Sequence, residues 1–165
     1  MGALTDIVKN YFEANEWKYE QNSEHKGMFI AGVETDSGDF EVLVVAEDAD
    51  KQLTCFCICP DEVPEDRRSD VAEYIIRVNN NLMNAVFDMD YDDGDVRVRS
   101  SMNFADAQPT ADAVALLLHG AISSADVYYP GLQTVIDGEA APEDALEDVL
   151  AELEDEGEYE DDEDK

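Results

Sequence analysis

Three clusters in this 165-residue chain combine residue types and spacings that chemistry could use: an aspartate-rich run, a row of cysteines and a histidine–serine pair. The first is "FDMDYDDGDVRV", Phe87 to Val98, with five aspartates among the eight residues from Asp88 to Asp95. An EF-hand loop places oxygen ligands at positions one, three and five, glycine at six and a bidentate glutamate at twelve. Counting from Asp88, Asp90 and Asp92 fall correctly, but position six is Asp93, the glycine comes one residue late as Gly94, and position twelve is Arg99, a cation. The flanks also read as strands, because Phe87, Met89 and Tyr91 alternate with Asp88, Asp90 and Asp92, and Val96 and Val98 alternate with Arg97 and Arg99. Asp93-Gly94 between such runs predicts a tight hairpin, with Asp88 and Asp90 opposite Arg97 and Arg99 on a wet face.

Cys55, Cys57 and Cys59 form a C-x-C-x-C run. On a strand, alternate residues point the same way, about 6.6 Å apart at the α-carbon, so all three thiols line one face beside Leu53. That geometry suits neither a disulfide nor a closed four-ligand zinc site, and neither His25 nor His119 stands as a fourth ligand, so the row reads as core packing. His119 and Ser123 share a helical face, but no G-x-S-x-G elbow places a serine on a strained turn. Gly27 and Gly32 do not make a G-x-G-x-x-G loop, and no Walker lysine follows a glycine run. Acidic pairs are so abundant that they single out no general acid or base. The sequence therefore assigns no catalytic, cofactor-binding or metal-ligating residue, and the expectation is that the protein is not an enzyme.

The elements that carry these residues follow from periodicity. Leu4, Ile7, Val8, Tyr11 and Phe12 predict a short amphipathic helix ending near Asn15, with Thr5 or a neighbour as its cap. A short strand opens at Trp17 and Tyr19, two more lie in "GMFIAGVETDSGDFEVLVVAED" around a turn at Asp36 to Asp39, and "QLTCFCICP" is the fourth. The central strands are apolar on both sides, so both sheet faces want cover. A helix over about 65–81 buries Val71, Tyr74, Ile75, Val78 and Leu82; the aspartate hairpin follows; Thr110 caps a long helix that Pro130 interrupts and Gly138 ends. The order α-β-β-β-β-α-β-β-α predicts an α+β domain over 1–138, with an antiparallel sheet of five to six strands and three main helices. Residues 139–165 are expected to be an acidic extension, a short amphipathic helix over about 142–155 that either docks or waits for a partner, then a disordered tail.

Charge bounds the function. There are 42 acidic against 10 basic residues, net −32, of which residues 139–165 contribute −14 and the preceding part −18. Such a chain repels phosphate backbones and anionic membrane surfaces, so neither nucleic acid nor membrane is an expected partner. Acidity spread over every element predicts adaptation to a high-salt cytoplasm; an acidic surface that mimics nucleic acid is the rival reading. No stretch reads as an export signal or reaches the ~20 apolar residues of a membrane span, and Asp6 stands where a myristoylation pattern wants serine or threonine, so a cytoplasmic location is expected.

Two segments, "YIIRVNNNLMNAVFDMDYDDGDVRVRSSM" and "TADAVALLLHGAISSADVYYPGLQTVI", taken with the order of elements, resemble the YbjN family of small bacterial proteins over roughly Leu4 to Gly138. The resemblance implies a fold similar to type III secretion chaperones, no catalytic residues, a regulatory role sometimes described as sensory transduction, a homodimer and a protein partner of unknown identity. The leading expectation is thus a cytoplasmic, dimeric, chaperone-like protein-binding module. The alternative is an ion-responsive or metal-binding protein using the aspartate hairpin, the acidic tail or the cysteine row.

Overall fold

The computed structural model describes residues 2–163. Its elements are α1 (Ala3–Ala14), β1 (Tyr19–Gln21), β2 (Met28–Glu34), β3 (Asp39–Glu47), β4 (Gln52–Ile58), a 3-10 turn (Glu65–Arg67) leading into α2 (Arg68–Asn79), β5 (Val86–Met89), β6 (Val96–Asn103), α3 (Ala111–Ile136) and α4 (Pro142–Glu163). The strands form one six-stranded antiparallel sheet in the order β1-β2-β3-β4-β6-β5. The α+β fold with one antiparallel sheet of five to six strands that the order of elements predicts is the fold found.

Strand alternation sends Phe29, Phe40, Val42, Val44, Leu53, Cys55, Cys57, Phe87, Val96 and Val98 to one face, where they are buried under the helices. α1 packs on β3, α3 crosses β4 and β6, and α2 lies against β5. Phe12 of α1 seals one end with Trp17, Tyr19 and Phe29, ring centroids 5.2–5.9 Å away.

Three local expectations need correcting. Thr5 does not cap α1; its hydroxyl and the Leu4 and Thr5 amides all donate to the Asp48 carboxylate, which reaches over from the β3–β4 turn. A carboxylate there satisfies orphan donors and meets the positive end of the helix dipole. Pro130 does not interrupt the long helix, which runs unbroken for 26 residues. Proline removes the N–H that would bond the Asp126 carbonyl, and the Ser37 hydroxyl from the β2–β3 turn donates to that carbonyl instead. Third, the aspartate hairpin is wider than a two-residue turn. β5 stops at Met89, because the Asp90 carboxylate accepts the Asp92 amide and the chain closes through Asp90 N to Asp95 O and Gly94 N to Asp90 O. Asp88 faces Arg97 as expected, but Arg99 faces Val86, not Asp90.

The acidic helix is also longer than the expected 142–155. α4 continues through Gly157 to Glu163, helped by the good helix propensity of its glutamates. The last two tail residues, 164–165, lie outside the described residues. Ala145, Leu146 and Val149 are buried where α4 packs on α2 and α3. Gly131 permits this approach, for a Cβ there would sit 2.3 Å from the Tyr74 hydroxyl and 2.9 Å from Val149 Cγ2.

Candidate protein-interaction surface

The helices cover one side of the sheet only. The two-sided apolarity of the central strands therefore leaves a second apolar surface open, and register defines it. Across the sheet, Glu20 pairs with Ile30, Ile30 with Leu43, Leu43 with Phe56, Phe56 with Arg99 and Arg99 with Val86, so these six side chains form one row. One step along the strands toward Glu34, Gly32, Glu41, Ile58, Arg97 and Asp88 form a second row. On the other side, Met28, Val45, Thr54 and Ser101 form a third. Leu43, Val45, Phe56 and Ile58 are half-buried by one another, while Ile30 and Val86 are 37% and 38% exposed. Arg97 spans the edge of this patch, its guanidinium 4.9 Å from the Phe56 ring centroid and 3.2 Å from Asp88 Oδ2.

The residues with chemical potential are dispersed. Cys55, Cys57 and Cys59 lie on the helix-covered side and are free thiols. Burial pushes the Cys55 and Cys57 thiols up to about 12, the latter helped by nearby Asp126, and raises Cys59 as well. A thiol held protonated is neither a nucleophile nor a metal ligand at neutral pH. In the aspartate turn, the Tyr91 and Asp92 carbonyls accept hydrogen bonds from the Arg68 guanidinium at 3.2 and 2.8 Å, and the Gly94 carbonyl, at position seven of the loop counted from Asp88, accepts the Val63 amide at 2.9 Å. Gly94, at φ +86°, lets the turn close on Val63, whose carbonyl a Cβ would meet at 2.2 Å. Among the described residues, no group of three or more His, Cys, Asp or Glu side chains is arranged to hold a metal ion.

His119 and Ser123 share an open groove of about 580 Å³ on the outer side of α3 with Leu116 and Gly120. The His119 Nε2 atom lies 3.1 Å from the Tyr11 hydroxyl, and no hydrogen bond joins it to Ser123 among the described residues. Another open groove, of about 700 Å³, lies beside Trp17, Gly32 and Phe40. Among the described residues, His119 is paired with Tyr11 and not with the serine that shares its groove.

The segments that carry the family resemblance act as structural pins. The Asn79 amide donates to the Phe87 carbonyl and accepts its N–H, at 3.0 and 2.7 Å, giving β5 a strand-like partner. In "ADVYYPGL", the Asp126 carboxylate accepts the Ser37 amide at 2.9 Å, the Tyr128 carbonyl accepts the Tyr74 hydroxyl at 2.7 Å, and the Tyr129 hydroxyl donates to the Asp61 carboxylate. Burial and that carboxylate raise the Tyr129 phenol above its ordinary range.

An α+β scaffold with helices on one side of an antiparallel sheet and a mixed apolar and charged surface on the other is the class this arrangement defines. The chain belongs to the YbjN family, whose model, described as "Putative bacterial sensory transduction regulator", matches residues 5–134. Among solved structures it is similar to YbjN, described as "a putative transcription regulator from E. coli", at 11% identity and TM-score 0.54, covering 80% of this chain and 87% of that one. An uncharacterized protein from Methanothermobacter thermautotrophicus aligns at 11% identity and TM-score 0.53, with 82% and 97% covered. The ExsC–ExsE complex aligns at 14% identity and TM-score 0.50, with 78% and 94% covered. At these identities the likeness concerns the fold alone. No curated protein matches the chain. The stacking of Arg97 on Phe56 and the place of Gly32 on the open face were not read from sequence; the two-residue period of β2, β4 and β6 was the signal that held them. Among the described residues, no helix is long and apolar enough to cross a membrane.

Proposed function

We propose that the chain is a non-catalytic, cytoplasmic regulatory module that works by contact with another protein, residues 1–138 forming the binding unit and residues 139–165 an extension carried on it. The observation that carries this reading is the open sheet face, where Ile30, Leu43, Phe56 and Ile58 form a continuous apolar surface rimmed by charge. Apolar surface of this kind, bordered by polar residues, marks contact sites. Membership of a family described as a regulator supports it, as does the likeness in fold to ExsC, whose structure is that of a complex with ExsE. A homodimer fits the same face. The net charge of −32, distributed over folded core and extension, supports work in a concentrated salt medium, where self-repulsion is screened.

The test is site-specific photocrosslinking in cells at their native salt. A photoreactive residue in place of Leu43 captures protein, whereas the same residue in place of the exposed Glu73 on α2 does not. Absence of any protein adduct at Leu43 overturns the reading.

A further inference from the structure

We propose that the open face holds a basic amphipathic helix of another protein, its apolar stripe on the row of Ile30, Leu43 and Phe56 and its cations over β1 to β3. The inference rests on the reading of this face as a protein contact and names the chemistry of the partner. Register places the charges around the apolar row. On the strands, Glu20, Glu34, Asp39, Glu41, Glu47 and Asp88 share the face with Arg97 and Arg99. Asp88 is ion-paired to Arg97. The other five carboxylates are exposed, and among the described residues none of them has an ion pair. They enclose the apolar residues on three sides: Glu20 on the β1 edge, Glu34, Asp39 and Glu41 toward the β2–β3 turn, and Glu47 at the opposite end of β3. Lys18, which precedes β1, lines a groove with Glu20 and Glu41 and offsets one of them at most.

Covering an apolar surface ringed in this way strips water from the carboxylates, and a carboxylate left with neither water nor a cation is costly. An occupant that brings cations removes that cost. A neutral or acidic one does not, and a second copy of this chain brings the same six carboxylates with it. The fourth side differs, because Arg99, without an ion pair among the described residues, flanks Phe56 there; the acidic or neutral side of the occupant belongs over β6. The form of the occupant follows from the face as well. Strand backbone groups point along the sheet to neighbouring strands and not out of its face, so a segment lying on the face must satisfy its own backbone, as a helix does.

One place on the face suits a cationic side chain. Glu20, Ile30, Gly32 and Glu41 line an open groove of about 460 Å³. Because β2 lies between β1 and β3, Ile30 and Gly32 sit between the two carboxylates. A glycine inside a strand forfeits packing and is used where something approaches closely, yet a Cβ at Gly32 would meet nothing within 4 Å in the single chain. An arginine or lysine of the occupant accounts for it, the aliphatic stem lying over Gly32 and Ile30 while the charged head meets Glu20 and Glu41.

Two synthetic peptides of roughly 14 residues, enough for a helix to span from Glu41 to Glu47, test the proposal. Both carry a leucine stripe at helical spacing, flanked by arginines in one and by glutamates in the other. In isothermal titration of the full chain, the arginine peptide is expected to bind and the glutamate peptide to fail. Gly32→Val, which fills the groove and suits a strand, weakens the arginine peptide roughly tenfold while urea-induced unfolding shows a protein at least as stable as wild type. Glu20→Lys with Glu41→Lys weakens it at least as much, whereas Glu147→Lys with Asp148→Lys, the same charge change on the exposed side of α4, has little effect. Equal losses from the two pairs would show that overall charge and not this face attracts the peptide, and would overturn the proposal, as would unchanged binding to Gly32→Val. In cells, the segment captured by a photoreactive residue in place of Leu43 is expected to be basic and apolar. Capture of an acidic segment, or of a second copy, overturns the basic helix while the protein-contact reading stands; no adduct at Leu43 overturns that reading itself.

Discussion

The Ser37 hydroxyl donates a hydrogen bond to the Asp126 backbone carbonyl, the acceptor that Pro130 leaves without its helical donor. The turn between β2 and β3 thereby completes a helix that begins 74 residues later, at Ala111. Removing the hydroxyl leaves a partly buried carbonyl unsatisfied, so Ser37→Ala is expected to cost about 1–2 kcal/mol in urea-induced unfolding. Pro130→Ala restores the missing N–H. In that background the cost of Ser37→Ala is expected to fall by about 0.5 kcal/mol or more, and an undiminished cost would show that the carbonyl is not what Ser37 serves.

The neighbouring carboxylate gives a pH signature. Burial pushes the Asp126 carboxyl upward, but hydrogen bonds from Thr35 and Ser37 outweigh it and hold the folded value below the ordinary carboxylate range. A depressed folded value means stability that is fully present above the unfolded pKa of about 3.9 and lost as pH falls through the folded value. The stability advantage of wild type over Asp126→Asn is therefore flat from neutrality down to that point and shrinks below it. Urea melts across the acid range check this, and an advantage that stays constant to the lowest pH places the stabilisation elsewhere.

The cysteine row predicts the opposite limb. With Cys55 and Cys57 pushed up to about 12 by burial, the folded state holds protons that the unfolded thiols release near pH 8.5. Stability is then complete below that value and declines as pH rises toward the folded values. At neutral pH all three thiols are expected to resist a thiol-reactive chromophore in the native state and to react together on unfolding. Fast reaction of one thiol in native protein would show an opening path that the packed core does not contain.

What could be read in the chain, and what could not, divides by distance along it. Thr110 as the α3 cap and Gly138 as its stop, at φ +71°, are local signals, and both are found in place. The alternation that sets the three cysteines on one face is equally local. By contrast, the Asp48 carboxylate that caps α1 comes from more than 40 residues away, and the Ser37 hydroxyl that rescues Pro130 serves a carbonyl 89 residues on. Nothing near Thr5 or Pro130 announces such partners. Which sheet face stays open was hidden for another reason: β3 and β4 are apolar on both sides, so periodicity cannot choose between Cys55 with Cys57 and Phe56 with Ile58. Packing of α1 and α3 makes that choice.

Docking of α4 is expected to depend on salt, in the sense opposite to an ion-paired helix. Of its 22 residues 13 are acidic and none is basic. Its apolar grip is small, Ala145, Leu146 and Val149, with Leu150 half-buried and Leu153 37% exposed. One ion pair, Arg77 to Glu143 at 3.6 Å, joins it to α2, and both side chains are more than a third exposed, so it contributes at most about 1 kcal/mol. Against that, Glu152 and Glu156 share a narrow cleft with Asp36 and Asp126. Repulsion among these carboxylates weakens as the screening length falls from about 10 Å at 0.1 M salt to about 3 Å at 1 M. Hydrogen exchange should therefore slow in the amides around Ala145 to Val149 as KCl rises, with those of β3 and β4 changing less. Exchange at Ala145 to Val149 that speeds up with salt would mean that the Arg77 pair, and not apolar packing against screened repulsion, holds the helix.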